Sequence, residues 1–303
     1  MYICGEHPMA GLRGVKPSVI EQRLKLFMYG EAGAGKTTAA ISFPRPYVID
    51  CEGGTAQKQY VAKIEEQDGL LFKTTDFDEL IAEVRTLLTV EHPYKTLVID
   101  PLTILYNDLL VKSAAQLKAA SKEKDATGEE FGRHYSLANR RMAHLLALLS
   151  RLDMNVVIIA QAKKEYSDNM KVVGVTFDCY KKLDYLFDLV LELQRRGRNE
   201  RVAIVKKTRI EEFPDGEIIA FNYDEIARRY GRDILEKDAV PEVLASPEQV
   251  SETKRMVTLL SIPEETVNKW LTKANAETFE EMNAKSIDKV IEWLHKQFNG
   301  DSK

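Results

Sequence analysis

"LFMYGEAGAGKTTAAISF" (Leu26–Phe43) carries an apolar run into three glycines within six residues, then a lysine, two threonines and a helix-forming tail. It fits G-x-x-x-x-G-K-[ST] without a mismatch, as Gly30, Glu31, Ala32, Gly33, Ala34, Gly35, Lys36 and Thr37. Glycines at these places let the backbone take positive φ and bring its N–H groups close to an anion. Lys36 is placed to reach the β- and γ-phosphates of a nucleoside triphosphate, and the Thr37 hydroxyl to ligate Mg²⁺. Thr38 follows on the same turn. The flanks agree, since "RLKLFMY" (23–29) reads as a buried strand and "KTTAAISF" as the start of a helix whose positive end adds to the phosphate site. The ligands expected from this stretch are ATP and Mg²⁺.

Moving outward, further strand-like runs follow: "PYVID" (46–50), "LLFKTT" (70–75), "TLVID" (96–100) and "NVVIIAQA" (155–162). Helical patterns lie between them. Phe77, Leu80, Ile81, Val84, Leu87 and Leu88 keep helical spacing, and a long helical stretch covers about 129–152. Strands alternating with helices imply a mostly parallel sheet covered on both faces. Beyond it, "LFDLVLELQRR", "RVAIVKKTR" and "EIIAFN" are separated by short polar turns and read as antiparallel hairpins at the sheet edge. The fold class is therefore α/β, a P-loop NTPase core with antiparallel edge hairpins and a small C-terminal helical domain. The boundaries expected are an irregular segment at 1–22, the core at 23–238 and the helical domain at 239–303. In the last piece Ser246-Pro247-Glu248 is a helix start, and Thr278 with Glu281 has capping-box spacing. Residues 114–130 read as a mobile loop or an exposed helix.

Other carboxylates and one amide fall where an ATPase needs them. Asp100 ends an apolar strand and is placed to hold Mg²⁺. Glu52, in "YVIDCEGGT", ends the strand after the first helix and is placed to activate the attacking water. An exposed turn residue is the competing reading, and Asp50 is expected on the same side of the strand. Gln161 ends "VVIIAQ", where an amide touching the γ-phosphate would report whether ATP is intact; a glutamine bonded to backbone is the alternative.

The bulk composition is that of an ordinary globular chain. Of 303 residues, 44% are hydrophobic and 30% charged, and the net charge is −4. No apolar run approaches the ~20 residues of a membrane span. Cys4, Cys51 and Cys179 are odd in number and widely spaced, which suits a reducing cytoplasm and gives no zinc pattern. With an acidic total, nucleic-acid binding has to rest on local patches. One such patch is the 162–182 loop, in which Lys163, Lys164, Lys171, Lys181 and Lys182 interleave with Tyr166, Phe177 and Tyr180. Cations track phosphates there while aromatic faces stack on bases. "RRGRNER" (195–201) is a second basic cluster, read first as a solvated hairpin tip and second as a DNA contact. His134 and His144 read as surface or partly packed residues, and Trp270 and Trp293 as core.

Taken in order, the glycine loop, Asp-x-Glu-Gly, the strand ending in Asp100, the strand ending in Gln161 and the hairpin with Val205-Lys206-Lys207 resemble the RecA-like recombinase core. Within that group the chain resembles the phage-encoded RecA-like single-strand annealing proteins, over about residues 23–235. The resemblance implies a Mg²⁺-dependent, DNA-dependent ATPase that binds single-stranded DNA and promotes annealing or pairing in recombination. It implies Lys36, Glu52 and Gln161 as catalytic, Thr37 and Asp100 at the metal, and Lys206 or Lys207 reaching a neighbouring subunit's ATP, whereas a helicase-type motor would use Arg209 as its trans-acting arginine. It also implies a homo-oligomer, ring or filament, in the cytoplasm (a host's, if phage-encoded), and a single-strand-binding protein as partner of the C-terminal helices. The alternative class is a helicase or loader motor, or a regulatory ATPase that acts on protein.

Overall fold

The computed structural model describes residues 22–121, 128–129, 132–167, 171–197 and 200–300. Cys4, most of the N-terminal segment, part of the 114–130 stretch and the middle of the "RRGRNER" turn lie outside the described residues.

Six strands form the parallel heart of the sheet: β1 (Lys25–Gly30), β2 (Pro46–Asp50), β3 (Leu70–Lys73), β4 (Thr96–Asp100), β5 (Asn155–Tyr166) and β7 (Leu189–Arg196). Their spatial order is β3-β2-β4-β5-β1-β7. Two antiparallel strands, β8 (Glu200–Thr208) and β9 (Ile218–Ala220), extend the β7 edge as the polar turns predict. β3 stops at Lys73, two residues short of the expected run.

The central strands read as unbroken apolar runs because alternate residues enter different cores. Phe27 and Tyr29 of β1 and Ile158 of β5 join the cluster under α3 (Phe77–Thr89), α4 (Leu102–Ala120) and α5 (Arg133–Arg151). Leu26, Met28 and Ile159 join the cluster under α1 (Lys36–Ala40), α2 (Lys58–Glu66), α7 (Tyr223–Tyr230) and α8 (Arg232–Leu235). This two-sided cover fixes β1, β4 and β5 at the centre, so Gly30 and Asp100, at the ends of β1 and β4, share one rim with Gln161, where β5 leaves the parallel sheet.

One local expectation is corrected. The 162–182 stretch is largely strand: β5 runs on to Tyr166 and pairs antiparallel with β6 (Val172–Phe177), followed by the short α6 (Leu183–Leu186). Of the 114–130 stretch, residues 114–120 are the largely exposed end of α4, which agrees with the exposed-helix reading.

The C-terminal helices α9 (Pro247–Leu259), α10 (Glu264–Lys273) and α11 (Ala284–Gly300) close on a cluster of their own, with Ile287 and Leu294 fully buried. Ser246 caps α9 in a capping box completed by Gln249. Thr278 makes no cap bond to the chain; it opens a 3-10 turn, and the capping-box spacing with Glu281 is not used. Glu281 is spent elsewhere, on Arg85 of α3. It belongs to a polar seam between bundle and core that also holds Arg151–Glu242 (2.7 Å) and the buried His144, 3.5 Å from Glu277. His144 is thus an interior residue of this seam and not a surface one. Trp270 and Trp293 meet edge to face at 5.4 Å, but Trp293 remains 41% exposed, short of the core position expected.

Candidate functional site

The phosphate loop is shaped by two steric demands. A Cβ on Gly30 would lie 2.3 Å from the Leu193 carbonyl oxygen of β7, so no larger residue fits where β1 meets its neighbour. Gly35 sits at φ 93°, a left-handed turn that releases the chain into α1. That helix has only five residues, shorter than the sequence suggests. Anion binding at the loop therefore falls to local N–H groups and the lysine, with little macrodipole behind them.

Lys36 folds its ammonium back over the loop, donating to the carbonyls of Gly30 (2.7 Å) and Glu31 (2.9 Å). Burial pushes its pKa down, while Asp100 and Glu52 push the other way. It makes no ion pair among the described residues, so its charge is uncommitted.

Thr37 Oγ1 donates to Asp100 Oδ2 at 2.6 Å. This contact joins the first turn of α1 to the end of β4, across sixty-three positions of chain. Burial raises the Asp100 pKa to about 6, against the opposing pulls of the Thr37 hydroxyl and Lys36. A hydroxyl and a buried, under-compensated carboxylate are the hard oxygen donors that Mg²⁺ takes. The donor set fits the ion that such a loop implies.

Glu52 lies just past β2, exposed, and its Oε1 accepts from Gln161 Nε2 at 2.8 Å. The two residues are therefore neighbours, one hydrogen bond apart, at the rim beside Lys36. Among the described residues the Gln161 side chain bonds Glu52 and no backbone group. Its main chain is anchored, since its N–H donates to Thr103 Oγ1 (2.9 Å) and its carbonyl accepts from the Asp178 N–H (2.8 Å). Asp50 is different. Its carboxylate accepts from the N–H groups of Glu52, Gly53 and Thr55 and from the Thr55 hydroxyl. It staples the turn that presents Glu52, with four donors on its two oxygens.

Residues 22–210 match the family model described as AAA domain. The chain belongs to this family. It is an AAA-type P-loop ATPase. No curated protein matches it. The matched span holds every motif from the glycine loop to Arg209, and it ends before β9, α7, α8 and the C-terminal bundle.

Within the AAA domain the remaining candidates scatter. Lys163, Lys164 and Lys171 are exposed on the β5–β6 hairpin, with Lys163 paired to Asp178 at 3.0 Å. Lys181 and Lys182 are exposed before α6. Phe177 packs into the core, edge to face on Phe27 at 5.0 Å, and Tyr180 is buried. The side chain of Tyr166 lies outside the described residues. Lys206 is half exposed and pairs with Glu192 (3.3 Å). Lys207 donates to the carbonyls of Asp184 and Phe187, and Arg209 to that of Tyr185 (2.7 Å).

Three contributors escape a reading by motif. Thr103 and Thr55 act by bonding Gln161 and Asp50; Thr55 alone leaves a trace, as the fifth residue after an aspartate across a Gly-Gly turn. Arg201, on β8, lies against Gly35, its Cδ 3.5 Å from where a Cβ would stand. That approach depends on the β7–β8 register and has no signature in spacing.

Proposed function

We propose that this ATPase is a Mg²⁺-dependent, single-strand-binding recombinase that promotes annealing or pairing of DNA, as the phage proteins it resembles imply. The observation that carries the reading is the Glu52–Gln161 contact. Gln161 belongs to β5, and the same strand runs on without a break into the lysine-bearing hairpin. A change at the γ-phosphate end therefore has a short, covalently continuous route to exposed cations.

In this reading the loop N–H groups and Lys36 hold the phosphates, and Thr37 with Asp100 hold Mg²⁺, which when bound neutralises phosphate charge. Glu52 accepts the proton of the attacking water. To do so it exchanges its bond to the Gln161 amide for one to water, and the freed amide turns to the γ-phosphate oxygens. Release of phosphate restores the pair. The hairpin lysines meet the DNA backbone, and their affinity follows the nucleotide state through β5.

Fluorescence anisotropy of a labelled single-stranded oligonucleotide tests this with a slowly hydrolysed ATP analogue, with ADP and without nucleotide. The reading expects the tightest binding with the analogue and a preference over duplex. Absence of binding in all three states at low salt would remove DNA from the account and leave an ATPase that acts on protein.

A further inference from the structure

Away from the two clefts that flank the phosphate loop, another hollow of about 650 Å³ opens between α4, α5 and the foot of the β5–β6 hairpin. None of Lys36, Thr37, Glu52 and Asp100 lines it. The buried part of its wall is Tyr106 of α4, whose hydroxyl donates to Asn139 of α5 (3.3 Å) and whose ring lies 6.3 Å from that of Tyr180. Tyr135 stands four residues before Asn139 on the same face of α5, and its ring is half exposed. The side chain of Asn107 and the amide nitrogen of Asn139 have no hydrogen-bond partner among the described residues. Lys181 and Lys182 line the hollow, exposed, and make no ion pair among the described residues. Asp178 is the one carboxylate on the wall among the described residues, and it is already paired with Lys163 at 3.0 Å.

We propose that this hollow takes one unstacked base of the single strand, with Tyr135 as its stacking surface and Asn107 and Asn139 at its polar edge. This rests on the single-strand reading above and extends it from the phosphate chain to a base. An aromatic face beside unspent amides is what a splayed-out base requires, since its ring stacks and its edge carries donors and acceptors. A hollow of a few hundred Å³ is of the size that encloses a group of that kind. A duplex keeps its bases stacked and paired, so it has none to offer without paying to extrude one. A free mononucleotide would need its own phosphate held, and the wall offers no buried cation for it. The three lysines are exposed and come from two separate segments, as suits a backbone that passes across the mouth.

The wall is also tied to the nucleotide rim. Thr103 Oγ1 accepts from the Gln161 N–H and donates to the Asp178 carbonyl (2.8 Å), and the Asp178 N–H donates to the Gln161 carbonyl. The segment that brings Asp178, Lys181 and Lys182 to the hollow is thus bonded directly to the residue that touches Glu52. A seated base and the nucleotide state then act on the same few hydrogen bonds.

Anisotropy titrations of oligothymidylate and of a strand of the same length built from abasic residues, with the slowly hydrolysed ATP analogue present, separate base from phosphate recognition. Wild-type protein is expected to bind the intact strand about tenfold more tightly or better. Tyr135→Ala is expected to weaken the intact strand about tenfold, as loss of one stacked base does, and to leave the abasic strand within about twofold and the salt slope unchanged. Asn107→Ala, an exposed change on a different helix, should move the intact strand in the same direction. Replacing Lys181 and Lys182 by alanine should weaken both strands alike and flatten the salt slope. If Tyr135→Ala and Asn107→Ala keep wild-type affinity for the intact strand, or lose the abasic strand as strongly, the base lies elsewhere. Tight binding of thymidine monophosphate alone, lost in Tyr135→Ala, would make the hollow a small-molecule site and overturn the proposal. If wild-type protein binds both strands equally, only phosphates are read and the proposal fails while the DNA reading stands. If it binds neither, the DNA reading itself fails, and the proposal with it.

Discussion

In the proposed mechanism, hydrolysis turns on Glu52. Asp50, the nearest carboxylate, is filled by four donors from its own turn, so it is not available to replace Glu52. Glu52→Gln keeps an oxygen for the Gln161 amide and removes the base. Turnover should fall by about 10²- to 10⁴-fold while ATP affinity stays within a few-fold; steady-state kinetics beside direct ATP titration would show it. Near-normal turnover would place the base outside the pair. Asp100 gives a test that needs no nucleotide. Its folded pKa, about 6, stands above that of an unfolded aspartate, so the folded protein holds this proton more tightly than the unfolded chain. The contribution is fully present below about pH 4 and is lost as pH rises through about 6. In chelator-treated protein, Asp100→Asn should therefore melt above wild type at pH 8 and level with it near pH 4. Melting curves at the two pH values check the sign, and a variant less stable at pH 8 would contradict the buried-carboxylate account.

At the scale of elements, the β5–β6 hairpin carries the DNA claim. Replacing Lys163, Lys164 and Lys171 by alanine removes three exposed cations from one hairpin. Single-strand affinity should drop and its logarithmic salt slope flatten by up to about 2, since each phosphate no longer neutralised takes about 0.7 from the slope. ATP binding without DNA should be unchanged, since these side chains stand outside the nucleotide clefts. An unaltered slope would move the phosphate-binding residues to another surface. This hairpin also shows where pattern reading stops. β1, β2 and β4 are legible because burial on both faces demands continuous apolar runs, and the helices because one buried face imposes a 3.6-residue rhythm. The outer half of β5 has no such demand. "AKKEY" is paired through its backbone but exposed at Lys163, Lys164 and Glu165, so its composition is that of a loop. Phe177 and Tyr180 mislead in the opposite sense, as aromatics in a basic segment whose rings belong to the core. Within the site, Lys36, Thr37, Asp100 and Glu52 were legible because each stands at a strand end or in the loop itself. Thr103, Thr55 and Arg201 were not, because their partners are set by packing and register.

Across the whole molecule, the bundle and the core meet through charges. Arg85, His144 and Arg151 of the core face Glu242, Glu277 and Glu281. From Val240 onward the chain carries eleven acids and eight lysines or arginines, a net −3, which suits protein contacts better than a phosphate backbone. Removing the bundle should thus uncover polar groups and no large apolar patch. The cut has to fall later than the composition suggests. Arg23 holds the carbonyls of Ile234, Lys237 and Asp238, and Asp153 accepts the Val240 N–H, so the core reaches to Val240. A chain ending at Val240 is expected to stay soluble, melt cooperatively and keep basal ATPase. Size-exclusion and melting data decide it, aggregation being the contrary outcome.

All these parts serve one claim, that the nucleotide rim and the exposed hairpin form a DNA-dependent ATPase. The most direct measurement is steady-state ATP turnover by the wild-type protein as single-stranded DNA is titrated in, with Lys36→Ala as the inactive baseline. The account predicts a basal rate that DNA raises several-fold, saturating with DNA and dependent on Mg²⁺. A rate well above the baseline that stays flat across the titration would contradict it.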